Sequence, residues 1–556
     1  MALNAIKRRL GFPNLSSSEG IPKRTLVPEG YTPYAEVGMG HHQFRSFYIG
    51  FQPRSKALVI HEGQAGTVFV DGELTYSYEK IGRPPKAGGD THGAMTTSRD
   101  LLFFGGWIKA PAGLTPDRRQ DMREKYSHIH SLDENGRVEL LWLRKWDPGL
   151  GTSEWYGEVT DLVYDEHTNS IFFTRADGFS ELGLWRLDLS SGSAEYLVKG
   201  HTAYKMELKD DKLFVTEFNP ALNSNSAIIV YDMLTGADAR ITEFASAFDA
   251  GATVSLPRQG GQIVQLQNRL LAFFRGFVVQ ISASKIRNIE TGKLGKPSSE
   301  SQLSSEDFVA YPFFEAFSPE DGMPYHVGGL RGQKVYINGI PFLALVPWDH
   351  LSEVLSRTDE AFLLRVDGAV PQIVATAGSV SGIATDGQSV YIGASYANHT
   401  GVYTYRAGAG GVFELPVKEV FSKPWTPVRM WLWDGEYEPG KSGVKGWFGG
   451  IPVKGFWRKR LKVRASEPVK LVVREFTFLP GAQTDEEVQL NEGWNVVDLS
   501  DYYDMVAFSL PSRVKLEAEL AMDPRAVQRS RKCDSPWSSR GSPRDVSTNL
   551  LYERSY

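Results

Sequence analysis

Two consecutive segments of this chain repeat each other in pattern, and that repeat restricts the fold more than any other feature. Residues 159–198 read VTDLVYDEHTNSIFFTRADGFSELGLWRLDLSSGSAEYLV, and residues 203–242 read AYKMELKDDKLFVTEFNPALNSNSAIIVYDMLTGADARIT. Each gives a strand, a polar turn, a second strand (SIFFT, KLFVTEF), a loop, a third strand (LGLWRLD, AIIVYD), a turn and a fourth strand. The turns DLSSG and DMLTG correspond in their logic. Asp188 and Asp232 suit capping of the turn, while Gly192 and Gly236 suit a positive φ that a Cβ would oppose. A four-stranded sheet cannot bury both of its faces alone, so such a unit recurring roughly every 40 to 60 residues predicts the blades of a β-propeller.

Other second strands fall into the same scheme: ALVIHEG, DLLFFGG, RLLAFFRG, QKVYING and QSVYIGAS. With the two above they predict an all-β fold, a β-propeller of about seven blades over residues 45–423. Insertions are expected within 102–155 and 276–325. From residue 424 the texture changes to a Trp- and Gly-rich stretch followed by three strand-like runs, which predicts a C-terminal β-sandwich over 424–522. Residues 1–44 read as an arm with a short helix, basic at Lys7, Arg8 and Arg9. Residues 523–556 are Ser/Arg-rich and aperiodic, which predicts a disordered basic tail or a stretch read out of frame.

Composition bounds the partners. The net charge is -5 and the pI about 6.2, against the basic excess of a protein-wide nucleic-acid surface. The single cysteine, Cys533, rules out a disulfide within the chain and any multi-cysteine zinc site. No window reaches the roughly 18 consecutive apolar residues needed to span a bilayer. The opening residues lack the apolar core of a signal peptide, so a cytoplasmic protein is expected.

One blade resembles the WD-repeat family: Gly200–His201 precedes a strand, and VYDMLTG follows where that family often has a Trp-Asp pair, with Tyr231 in place of the tryptophan. The resemblance implies that His201 orders a turn by hydrogen bonding. The whole arrangement, with WDGEYEP and GGIPVKGFW in its C-terminal module, resembles an archaeal propeller family of unknown function. That resemblance implies no activity and no catalytic residue.

The chemistry-bearing residues are few. His92 lies nine residues before Leu101 and His326 nine before Val335; the same offset gives Tyr204 before Leu213 and Gly261 before Leu270. In a propeller this position falls near the start of the innermost strand, so His92 and His326 are candidate neighbours around the axis. Imidazole suits divalent transition metals, which makes one such ion the implied cofactor, with Asp90 and Glu158 as candidate ligands or bases and Tyr204 beside them. The alternative is that both histidines bond to backbone at blade junctions. His41, His42, His128 and His130 are expected in surface loops. No phosphate loop, nucleophile elbow or His-Glu-x-x-His helix is present.

The densest basic run forms a patch of Arg458, Lys459, Arg460, Lys462 and Arg464; with Leu461 and Val463 inward, alternation sends Lys462 and Arg464 outward as a stripe beside Trp457, or as a merely solvated face. The leading functional expectation is a binding or scaffold propeller with a protein or small-molecule ligand at one face. The second is a metal-dependent lyase, hydrolase or oxidoreductase built on His92 and His326. The third, less favoured, is a ribonucleoprotein-associated factor that contacts nucleic acid through its basic segments.

Overall fold

The structure, a computed structural model, describes residues 23–25, 47–62, 66–77, 92–109, 121–145, 149–152, 154–218, 227–255, 260–267, 269–282, 308–315, 332–345, 361–377, 379–395, 410–422, 424, 427–479 and 481–524. The expected N-terminal helix, all but the first residues of the tail, and His41, His42, Asp90 and His326 lie outside these residues.

Seven sheets, antiparallel except for one pair of strands in the fifth, follow one another along the described chain up to Pro416. We number them by their first strands: Phe47–Phe51, Met95–Thr97, Glu158–Asp165, Ala203–Lys209, Gly260–Leu266, Lys334–Ile337 and Ser379–Thr385. Six are four-stranded. The fifth has two additional strands, because Phe244–Ser246 pairs in parallel with Phe308–Pro312 and carries Thr253–Val254 on its other edge. The seventh takes its outermost strand, Lys23–Thr25, from the opposite part of the chain.

Each sheet touches the next mainly through its inner strands, and the seventh returns to the first through Phe47–Phe51 against Ser379–Thr385. The chain is therefore a β-propeller. Polar side chains tie the inner strands across this ring. Gln333 accepts from Ile49 N (2.8 Å) and Ile383 N (3.3 Å) and donates to Ile49 O (3.1 Å). Lys334 donates to Met206 O and Ile263 O, both at 2.8 Å. These bonds satisfy inner-strand backbone groups that sheet pairing leaves over.

Two expectations are corrected. QKVYING is the first strand of the sixth sheet, because Asn338 and Gly339 (φ 53° and 76°) make a tight hairpin and Ile340–Leu345 becomes the second. Residues 125–132, expected within an insertion, form the third strand of the second sheet, Lys125–Leu132, every residue of which is buried. His128 and His130 are thus core residues, not loop residues.

Beyond Val428 lie two further four-stranded antiparallel sheets, one around Val514–Asp523 and Arg458–Ala465, the other around Val469–Phe476 and Met505–Ser509. Trp433, Phe448, Phe508, Leu471 and Leu520 belong to one apolar cluster shared by both. That cluster continues into the fifth and sixth sheets of the ring through Tyr311, Phe313, Phe362 and Leu364. Tyr311 stacks on Phe476, and Phe248 meets Trp447 edge-on at 5.0 Å. Fully burying one such aromatic contributes about 2 to 3 kcal/mol, so this seam holds the C-terminal sheets to the ring firmly.

Candidate functional site

The second, third and fourth sheets bring His92, Glu158 and Tyr204 together at one end of the ring, where their inner strands begin. His92 Nε2 lies 2.9 Å from Glu158 Oε2 and 3.8 Å from Asp177 Oδ2. On the other side of the ring, His92 Nδ1 is 3.3 Å from the Tyr204 hydroxyl. His92, Glu158 and Tyr204 are all buried, and Asp177 is half-buried with 14 % of its side chain exposed. One donor atom each from His92, Glu158 and Asp177 lie within 4.8 Å of one another.

Local packing sets this geometry. Gly157 O, one residue before Glu158, accepts from Ser127 Oγ (3.0 Å) and Arg175 Nε (2.9 Å). Gly178, one residue after Asp177, presses on the same backbone: a Cβ there would stand 2.6 Å from Gly157 N. Only two glycines let these turns meet, and the meeting sets both carboxylates side by side. Asp177 itself has φ 52°, a left-handed conformation that Asp tolerates better than most residues. Trp155 Nε1 donates to Asp177 O, and Lys205 Nζ donates to His92 O and to Thr160 O (2.7 Å).

A lysine completes the inner shell. Lys125 Nζ donates to Glu158 Oε1 and stands 4.2 Å from the Trp107 ring centre and 4.4 Å from that of Trp155. Its cross-strand partner is Lys109, also buried. Burial pushes the Lys109 ammonium down to about 8; the Asp121 carboxylate opposes that shift and Lys125 adds to it.

The His92 ring can work in two ways. With Nε2 protonated it donates to Glu158 and accepts from Tyr204, a hydrogen-bonded dyad. With the proton on Nδ1 it donates to Tyr204, and Nε2 is a lone-pair donor facing two carboxylates. The second tautomer is the arrangement of a histidine metal ligand with an outer-shell partner. Donor atoms bound to one ion at about 2.0–2.2 Å stand roughly 3–4 Å apart, close to the separations here.

Asp177, Trp155, Lys125 and Lys109 were missing from the sequence reading. Their signals were the Asp-Gly turn after SIFFTRA and charged residues at the ends of apolar runs, in GGWIKA and EKYSHIHSL. In the sixth sheet the nine-residue offset of His326 no longer points to an inner-strand start, since Val335 lies in the first strand.

A second histidine group sits between the first and second sheets. His128 Nδ1 and His130 Nδ1 are 3.1 Å apart, and both are buried, as is His61. Burial pushes His61 and His130 down to about 3. His128 is held well below the usual imidazole range by burial, with His130 and His61 adding to the effect.

The basic run divides. Arg458, Arg460 and Arg464 are exposed and Lys462 is half-buried, but Lys459 turns inward and donates to Tyr502 O. Lys459 therefore leaves the basic patch, because strand alternation places it on the core side with Leu461 and Val463. Arg464 pairs with Glu517 at 3.1 Å, and Lys462 and Arg458 stand opposite Glu519 and Asp523. A row of acids thus runs beside the row of bases. His201 lies 3.5 Å from Glu217, which Arg240 also binds, and Gly192 and Gly236 have φ of 70° and 73°.

The N-terminal domain of Nup159 is 11% identical to this chain, covering 72% of it and 96% of that chain, with a TM-score of 0.34. BamB from Moraxella catarrhalis is 10% identical, covering 71% and 100%, with a TM-score of 0.33. The β-propeller domain of the Trilobed protease from Pyrococcus furiosus is 11% identical over 58% and 92%, with a TM-score of 0.27. No curated protein matches the chain. Residues 58–290 are similar to a family described as "Uncharacterized protein conserved in archaea (DUF2139)".

Proposed function

We propose that this chain is a seven-bladed propeller over residues 45–423 with a β-sandwich over 424–522, and that the propeller binds a divalent transition metal ion at one mouth to engage a small polar ligand. The single observation that carries the reading is the convergence of His92, Glu158 and Asp177 within 4.8 Å. One imidazole and two carboxylates suit a borderline ion such as Zn, Mn or Fe(II), and three protein ligands leave positions for water or substrate. Tyr204 would fix the ligating tautomer of His92, and Lys125 would hold Glu158 in place through its other oxygen. The chemistry on offer is polarisation of a ligand oxygen, which makes metal-dependent catalysis part of this proposal. The ring is read as seven blades because seven consecutive sheets meet in order and the last touches the first.

Elemental analysis of purified, untagged protein after incubation with Mn, Fe(II), Ni and Zn tests the proposal. Near-stoichiometric metal in the wild type, lost in folded His92→Ala and Asp177→Asn variants, is the expected result. Metal-free wild type, or wild-type metal content in both variants, overturns it.

A further inference from the structure

The outer face of one C-terminal sheet carries its charges in an ordered pattern. Its strands lie in the order Val428–Tyr437, Val514–Asp523, Arg458–Ala465 and Gly493–Asp498. Arg429, Glu519, Lys462 and Val496, one from each strand, line a single hollow, so they share one side of the sheet. Alternation puts Leu461, Val463 and Leu520 on the other side, in the core. Arg458, Arg460, Arg464 and Asp498 are exposed, and so are two apolar side chains, Val496 at 65% and Trp494 at 49%. Glu519, between the longer side chains, is buried.

Cross-strand register sets these residues in rows. One row runs Val496, Lys462, Glu519, Trp431, and the next runs Asp498, Arg460, Ala521, Arg429. Arg464 and Arg458 stand opposite Glu517 and Asp523. The two central strands therefore carry a column of bases and a column of acids, about 4.8 Å apart. Within the chain Arg464 already bonds Glu517 at 3.1 Å, and Lys462 Nζ lies 4.5 Å from the Trp494 ring centre. A partner would thus read the order of the columns, not an unpaired charge. A nucleic-acid strand would meet the acids as soon as it reached the bases. The surface that fits has the same two columns in the opposite order.

A second copy of this face is such a surface. Turned over about a twofold axis that runs along the strands between the columns, it lays acids over bases and bases over acids. Arg464 then faces Glu517 of the other copy, Arg458 faces Asp523, Asp498 faces Arg429, and Val496 meets Trp431. An axis across the strands would stack bases on bases, so charge selects the first arrangement. Sheets packed face to face keep their strands within about 30° of each other, which this axis allows. Four strands of about eight residues span about 19 Å by 26 Å, so the two copies would cover roughly 1,000 Å² in all. That area is at the lower limit for a specific contact, and the charges make it sensitive to salt.

We propose that this face is the interface of an isologous homodimer, formed with the acid and base columns of the two copies crossed. The inference stands apart from the metal site at the propeller mouth.

Sedimentation velocity of the full chain from about 1 to about 200 µM tests it. A concentration-dependent dimer is expected at about 50 mM salt, with association at least tenfold weaker at about 500 mM. One variant carries Arg458→Glu and Arg464→Glu, which sets acids over acids; another carries Glu517→Arg and Asp523→Arg, which sets bases over bases. Each alone should associate at least tenfold more weakly than wild type. An equimolar mixture of the two should recover the dimer, because each supplies the column that the other lacks, a result that damage to either fold would not give. If a variant does not fold, the concentration and salt dependence of the wild type decides the matter. A wild type that stays monomeric, a dimer indifferent to salt, undiminished association in both folded variants, or a mixture no tighter than its components overturns the inference.

Discussion

The Tyr76 hydroxyl lies 3.0 Å from His130 Nε2, which joins the outermost strand of the first sheet to the third strand of the second. His130 in turn meets His128, and its ring stacks on Phe104 at 5.2 Å. His61, His128 and His130 are all buried here.

That burial predicts acid sensitivity. His61 and His130 have folded values near 3, below the unfolded value of about 6.5, so the unfolded chain takes up protons that the folded one refuses. Stability is complete above about pH 6.5 and falls as the pH drops towards 3. At pH 5.5 the two residues together cost about 3 kcal/mol. Urea midpoints between pH 7.5 and 5.5 should show this slope, and His61→Phe, which keeps the contact with Phe104, should flatten it. Parallel slopes in the two proteins would refute the attribution.

The Lys125–Glu158 pair predicts non-additivity. Their side chains are only 4% and 3% exposed, so Lys125→Met strands a buried carboxylate and should cost about 3–5 kcal/mol. Adding Glu158→Gln removes the stranded charge and should recover part of the loss. Denaturation of both single variants and the double variant measures the coupling. Simple additivity would count against a desolvated pair.

Gly178→Ala should damage both stability and the site. The new Cβ would stand 2.6 Å from Gly157 N and 2.7 Å from Gly157 Cα, all backbone that cannot swing aside. A loss of about 1–3 kcal/mol is expected, together with reduced metal content as Glu158 and Asp177 move apart. Gly192→Ala is the control: its φ is 70° but the space around it is open, so only the backbone cost of about 1 kcal/mol should appear. Metal content unchanged in Gly178→Ala would argue against this packing as the device that sets the site.

Asp232 caps its turn by accepting from Leu234 N and Thr235 N, both at 2.9 Å, and Lys212 lies 3.5 Å away. Asp232→Ala should cost about 1–2 kcal/mol by thermal melting. The equivalent Asp188 accepts from Ser190 N and Ser191 N at an exposed turn, and its replacement should cost less.

What could be read from sequence was whatever a short pattern determines. The paired turns at Asp188 and Asp232, and second strands such as SIFFT and KLFVTEF, follow from local alternation and turn chemistry, and both stand where expected. The shared nine-residue offset falls on two residues that meet, His92 and Tyr204, although the turns after their first strands differ in length (98–101 against 210–211). It failed at QKVYING because a run with two neighbouring glycine turns does not say which strand it is. Asp177 and Lys125 were out of reach for another reason. Their roles depend on which sheets become neighbours, and no periodicity within one strand encodes that. His128 and His130 misled because polarity was read as exposure, whereas an aromatic wall around Phe104 accepts neutral imidazole.

The pairing of Lys23–Thr25 with Gly410–Pro416 has a consequence in time. These strands are separated by about 390 residues, so the last hydrogen bonds of the ring join the most distant parts of it. Loop-closure entropy makes such contacts late, and a chain emerging from the ribosome would hold most of its sheets before it could complete the circle. Until then the seventh sheet presents a bare edge. Refolding of this protein should therefore be slow at its final step and most prone to aggregate just before it.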